Sequence, residues 1–154
     1  DAPQDWDFLA GHWRVQHRRL RQRLVGSSEW DSFAGTYVHW PVLGGHGNVS
    51  DNVMEFPSGT VRGMGLRAYD ATTGQWSSRW VDSRNPASIG LPLRGRIDNG
   101  VGTFIGEEEA GGRLVTTRVQ WSRLSSQSAR WEQASSVDGK HWETNWISEF
   151  QREG

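Results

Sequence analysis

The chain has 154 residues, a formal net charge of −1, ten tryptophans, no cysteine and a single lysine, Lys140. That length suits one domain, expected over 1–154, that buries a core without disulfides or structural metal. The near-neutral charge removes any general pull towards nucleic acid; the lack of cysteine excludes thiol nucleophiles and metal-thiolate sites, and the lone lysine argues against Schiff-base chemistry.

Asp1 to Asp7 reads as a polar tail containing Pro3 and Trp6, followed by one helical turn over Asp7 to Ala10. Asp1 is not an encoded start residue, which leaves both a trimmed start and a removed leader open. A charged strand then runs from Gly11 towards Leu24, where Gly26, Ser27 and Ser28 break it. Its basic run, Arg14, His17, Arg18, Arg19, Arg21 and Arg23, has little aromatic interleaving and reads as a solvated strand. Trp13, set just after Gly11, is placed to plug the bottom of a small barrel.

Glu29 to Trp40 forms the second strand, with Phe33, Tyr37 and His39 opposed to Trp30, Ala34 and Thr36, a bulge at Gly35 and a stop at Pro41. After the loose Gly44-Gly45-His46-Gly47 connection, strands follow over Asn48 to Phe56 and Thr60 to Tyr69. In the latter, Met64, Leu66 and Ala68 oppose Val61 and Tyr69. Gln75 to Asp82 alternates cleanly, putting Trp76, Ser78, Trp80 and Asp82 on one face. Ser83 to Pro92 is the longest irregular segment, either a lid or a crossing at the barrel bottom.

Leu93 to Ile97 and Val101 to Glu107 flank Asp98-Asn99-Gly100, the strongest tight-hairpin signal in the chain. Arg113 to Arg123, Ser128 to Val137 and Trp142 to Phe150 complete a set of about ten half-buried strands. An open sheet of that width without covering helices exposes an apolar face and two edges, and closure removes both. The expected fold is therefore all-β, an antiparallel up-and-down barrel with a side-chain-lined interior. The competing two-sheet sandwich needs longer crossing connections than most of those present.

Gly11-His12-Trp13 at the head of the first strand resembles the Gly-x-Trp signature of the calycin superfamily of lipocalins and fatty-acid-binding proteins. The strand count resembles the nitrobindin and fatty-acid-binding branch. Asp7 to Trp13 together with Trp142-Glu143-Thr144-Asn145-Trp146 also resembles a group of bacterial lipocalin-like proteins. The resemblance implies that Trp13 packs across the barrel floor beside an arginine from a late strand, with Arg118, Arg130 and Arg152 all open. It also implies a small hydrophobic or amphipathic ligand, with haem binding in some relatives and isomerase or cyclase activity in a few. Secreted lipocalins usually carry a disulfide, so its lack here implies an intracellular relative.

A barrel cavity lined mainly by apolar surface needs only a few polar groups to orient a ligand. The residues expected to line it are Trp80, Arg118, Trp131, Gln133, Asn145 and Trp146, the tryptophans favouring flat aromatic or polyene ligands and Arg118 able to meet a carboxylate or enolate. For proton transfer, His17 or His39 paired with Asp82 is the candidate catalytic arrangement. Haem would need an axial ligand, for which His39, His46 and His141 are available, His141 loosely matching the nitrobindin-like branch.

No cofactor and no metal site is expected, because no metal-ligand spacing, phosphate-cradling loop or nucleophile elbow occurs. The favoured function is binding of a small hydrophobic or aromatic molecule in the barrel interior; the alternatives are a cofactor-free isomerase, cyclase or small hydrolase acting on a hydrophobic carbonyl compound, and a haem-binding barrel. No nucleic-acid or membrane partner is expected, since no stretch approaches the ~20 apolar residues of a span and no leader is visible. A cytoplasmic location follows as the default. A homodimer through an outward stripe on Trp76 and Trp80, or through the final strand, remains open.

Overall fold

A computed structural model describes residues 3–153, so Asp1 lies outside the described residues. Ten strands follow one another: β1 (Gly11–Leu20), β2 (Trp30–Val42), β3 (Gly47–Phe56), β4 (Gly59–Asp70), β5 (Gln75–Asp82), β6 (Leu93–Asp98), β7 (Val101–Ala110), β8 (Arg113–Arg123), β9 (Ser128–Ser136) and β10 (Glu143–Arg152). Each pairs antiparallel with its neighbour in sequence, and β1 pairs with β10, so the sheet closes into an up-and-down barrel. Closure leaves neither the first nor the last strand with a free edge, which is the reason so many half-buried strands form one stable body without helices. Among the described residues no helix is long and apolar enough to cross a membrane.

Period-two alternation sets which residues point inward. On β1, Trp13, Val15 and His17 are buried while His12, Arg14, Gln16 and Arg18 face solvent. The Asp98-Asn99-Gly100 signal holds: Asn99 and Gly100 have φ of 51° and 77°, the positive pair that a tight hairpin matched to strand twist requires.

Several boundaries differ from expectation. β1 ends at Leu20, with Leu24 at φ 63° in the connection. Pro41 does not end β2, which runs to Val42 with Pro41 opposite Asn48; an exposed proline near a strand end forfeits little of the ladder. Gly35 carries no bulge, since it lies in register with both Val15 and Met54. It is glycine for space: a Cβ there would sit 2.5 Å from the Val53 carbonyl oxygen. The register shift falls instead in β10, between Thr144 and Trp146.

The floor is built from the N-terminal segment. A single 3-10 turn, Asp7–Leu9, brings Trp6 and Trp13 under the barrel, both nearly fully buried with Leu9, Trp76, Phe104 and Trp121. Trp13 Nε1 donates to the Leu9 carbonyl at 2.9 Å. Of the three candidate arginines, Arg152 is the one that meets Trp13, its guanidinium 4.2 Å from the ring centroid. It also donates to the carbonyls of Ala10 and Phe8, each at 2.6 Å. Gly11, two residues before the plug, has φ 110°, a conformation that favours glycine, and a Cβ there would also lie 2.9 Å from Arg152 Nη1. A second apolar cluster, Phe33, Met54, Phe56, Val61 and Trp146, lies nearer the other end.

Candidate functional site

The barrel holds an interior cavity of about 340 Å³. Its aromatic lining comprises Phe104 from β7, Trp121 from β8, Trp131 from β9, and Trp146 and Phe150 from β10, with Met54 and Val119 between them. Trp131 and Trp146 meet edge to face, centroids 5.6 Å apart, and Trp121 packs against Phe150 at 5.3 Å. Such walls present flat apolar faces while each ring is fixed by its neighbours.

The floor of the cavity is polar. Arg67, on β4, is 7% exposed and lines the cavity. Gly65 precedes it on the same inward parity and leaves space for its side chain, a Cβ there lying 2.9 Å from Arg67 Nη2. Arg67 Nη1 donates to Asn48 Oδ1 at 2.9 Å, and Nη2 donates to Ser50 Oγ at 3.3 Å and Tyr37 Oη at 3.4 Å. Its guanidinium lies 4.8 Å from the Trp6 ring centroid and 5.8 Å from that of Trp121. All these partners are neutral, and Arg67 Nε has none. Burial pushes the Tyr37 hydroxyl up from its ordinary value, and its Oη is hydrogen-bonded to His39 Nδ1 at 2.9 Å. Burial, with Arg67 beside it, holds His39 neutral by lowering its pKa to about 2.

Midway up the wall, His17 is stacked on Phe33 and buried. Its Nδ1 accepts from Trp146 Nε1 at 3.1 Å and lies 2.7 Å from Ser148 Oγ. Because an indole nitrogen only donates, Nδ1 is the acceptor and the ring proton sits on Nε2. Burial lowers the pKa of His17 to about 4.

The mouth opens at the end of the barrel where β1, β3, β5 and β7 finish. There β5 and β6 pair only through Trp76, Ser77 and Ser78, so the rest of β5 has no ladder partner on that side. The segment after β5 borders this gap rather than the barrel bottom, with Gly90 N–H bonded to the Trp80 carbonyl and Leu91 exposed at the rim. Trp80 lies against Gly63, where any Cβ would overlap its indole. Asp82 pairs with Arg84 at 2.9 Å, and this bonding lowers its pKa to about 2. Arg23 pairs with Glu108 at 3.1 Å, and Thr117 Oγ1 also donates to Glu108. Arg19 differs from its neighbours: its guanidinium lies between Phe56 and Trp146, 5.1 and 5.2 Å from their centroids, and its Nε is buried without a partner.

Trp80, Asp82, His17, Trp131, Gln133 and Trp146, all among the candidate site residues, line the cavity. Arg118 does not. It lies on the outward parity of β8 and stacks on Trp142 at 4.3 Å. Asn145 is inaccessible because the β10 bulge turns it into bonds with Gln133 and Ser135. His39 belongs to the floor beneath Arg67, and neither it nor His17 is hydrogen-bonded to Asp82, which sits at the opposite end from His39. The residues suggested as axial haem ligands, His39, His46 and His141, are not among those lining the cavity; His141 is exposed and bonded to Asp138. Trp76 faces inward at 1% exposure, so it forms no outward stripe with Trp80.

Sequence reasoning missed Arg67, Arg19 and Trp6. The signal for Arg67 was present: Val61, Gly63, Gly65 and Arg67 share a parity, and Gly65 beside the arginine leaves it room to turn inward. Trp6 gave no such signal, because the tail around it is polar and its burial arises from the turn at Asp7–Leu9.

These features define a ten-stranded antiparallel β-barrel with an aromatic interior cavity, a cationic floor and an arginine-rich mouth. No protein-family profile and no curated protein matches the chain. Among solved structures it is similar to a protein of unknown function of the DUF3598 family from Nostoc punctiforme, with a TM-score of 0.54 and 13% identity over 96% of this chain and 48% of that one. The likeness shows the fold alone, and the chain spans about half the length of that protein.

Proposed function

We propose that the barrel binds a small hydrophobic or aromatic molecule non-covalently in its interior. The observation that carries this reading is the cavity itself, about 340 Å³, walled by indole and phenyl faces and open at one end. That volume is at the lower end of the range that small-molecule sites occupy, and its few polar groups sit where they would orient a ligand rather than fill the space. The Gly11-His12-Trp13 head with Trp13 clamped by Arg152 supports kinship with the calycins, whose barrels serve such ligands. A binding role is favoured over catalysis because each histidine inside is neutral and already engaged by a neutral partner, and Asp82 is held by Arg84.

The test is a fluorescence titration with the neutral planar probe N-phenyl-1-naphthylamine. The expected result is one saturable site with quenching of tryptophan emission, abolished by Val119→Trp, which fills the cavity. Absence of saturable binding, or binding untouched by Val119→Trp in a folded variant, would refute the reading.

A further inference from the structure

Two cations in this cavity lack an acid. Five arginines line it against three carboxylates, a surplus of two positive charges. Arg23 and Arg84 are matched by Glu108 and Asp82. Arg79 and Glu107 are exposed and solvated. Among the described residues, Arg67 and Arg19 make no salt bridge, and each keeps a buried Nε with no hydrogen-bond partner. A guanidinium withdrawn from water is ordinarily compensated by a carboxylate or phosphate that its fork of donors can grip. Arg67 has only aromatic faces and neutral oxygens around it, and Arg19 has aromatic faces with the Asp31 and Asp82 carboxylates near but not bonded to it.

The two unpaired arginines stand at opposite ends of the cavity. Tyr37, to which Arg67 donates, is level with Trp13 on β1, and Arg19 lies six residues further along that strand. Six residues amount to ~20 Å of strand, or about 15 Å along the axis of a barrel with ordinary strand tilt. The register puts Gly63 in line with Tyr37, and Arg67, four residues further along β4, brings its guanidinium to the Tyr37 hydroxyl; both arginines line the cavity with the aromatic walls.

We infer that the interior site takes a rod-like ligand with an anionic group at each end, one seated on Arg67 at the floor and the other on Arg19 at the mouth, with a flat apolar middle against the tryptophans. This rests on the interior-binding reading and adds the chemical class of the ligand. The floor arginine is oriented by Asn48, Ser50 and Tyr37, so it offers a fixed fork; Arg19, clamped between Phe56 and Trp146, offers a second.

The experiment compares three probes of one shape by calorimetry: biphenyl-4,4′-dicarboxylate, biphenyl-4-carboxylate and the neutral biphenyl-4,4′-dimethanol. The expected order is dicarboxylate tightest and diol weakest, with about tenfold or more per carboxylate, the scale of a charge-assisted bond. Arg67→Met and Arg19→Met should each reduce dicarboxylate affinity to the monocarboxylate level while changing diol affinity by a much smaller factor. Arg67→Lys, which keeps the charge and loses the fork, should retain part of the preference and replaces Arg67→Met should that variant not fold. Equal affinity for diol and dicarboxylate, or a dicarboxylate preference indifferent to both arginines, overturns this inference and leaves interior binding standing. Failure of all three probes, together with failure of the naphthylamine probe, overturns both.

Discussion

Acidification should weaken this fold from just below neutral pH, because two histidines are locked inside it as neutral rings. His17 and His39 are 4% and 3% exposed. Burial lowers His17 to about 4, while burial and the neighbouring Arg67 lower His39 to about 2, both from 6.5. The folded values lie below the unfolded one, so protons bind the unfolded chain first and stability falls as pH drops below 6.5. The loss continues until His17 titrates in the fold near 4 and His39 near 2. Between pH 7.5 and 5.5 each histidine contributes about 1.4 kcal/mol of loss, about 3 kcal/mol together, a large part of the stability of a domain of this size. Asp82, held to about 2 by Arg84, plays no part in that window. Exposed His141, raised by Asp138, works weakly in the opposite direction. Urea unfolding at the two pH values measures the difference. His17→Asn or His39→Gln alone should halve it, and the double variant should nearly remove it. A wild-type loss under about 1 kcal/mol, or a double variant with the full loss, would refute the neutral-histidine argument.

Arg152→Met should destabilise by about 3 kcal/mol in urea unfolding, since it strands the Phe8 and Ala10 carbonyls and removes the cation over Trp13. Arg152→Lys should not restore the loss, because one ammonium does not reproduce the fork that joins both carbonyls. Trp6→Ala removes a buried ring that packs against His39, Phe104, Trp76 and Trp121, and should cost about 3–5 kcal/mol by the same measurement. Asp82→Asn frees Arg84 at the mouth; stopped-flow mixing should show faster association of the dicarboxylate probe, steeper in low salt, with no comparable change for the diol.

The barrel was legible because its strands are half-buried: alternation such as Trp76, Ser78, Trp80, Asp82 records the period, though not which face turns inward, and closure follows from the edges it removes. The Gly11-His12-Trp13 head was legible for the same local reason, as glycine strain and a plugging indole occur within three residues. What was hidden depends on register across the barrel. The alignment of β1 with β10 singles out Arg152 for Trp13, and no pattern within either strand expresses it. Arg118 and Asn145 were misplaced for different reasons. Arg118 opposes Val115, Thr117 and Val119 on a regular strand, so its outward parity follows once those residues face the core. Asn145 is removed by a bulge of one residue, which changes facing without changing composition.

The chain contains two methionines, and the fold puts them on opposite sides of the wall: Met54 lines the cavity at 1% exposure, while Met64 faces solvent at 39%. The most direct test of interior binding is therefore a carbon-13 methyl spectrum of methionine-labelled protein during titration with N-phenyl-1-naphthylamine, with the two signals assigned by Met54→Leu and Met64→Leu. The account predicts that the Met54 methyl moves, saturating at one equivalent under ring currents from the probe and its tryptophan walls, while Met64 stays in place. Movement of Met64 alone, or saturable binding that leaves Met54 unmoved, would place the ligand outside the barrel and contradict it.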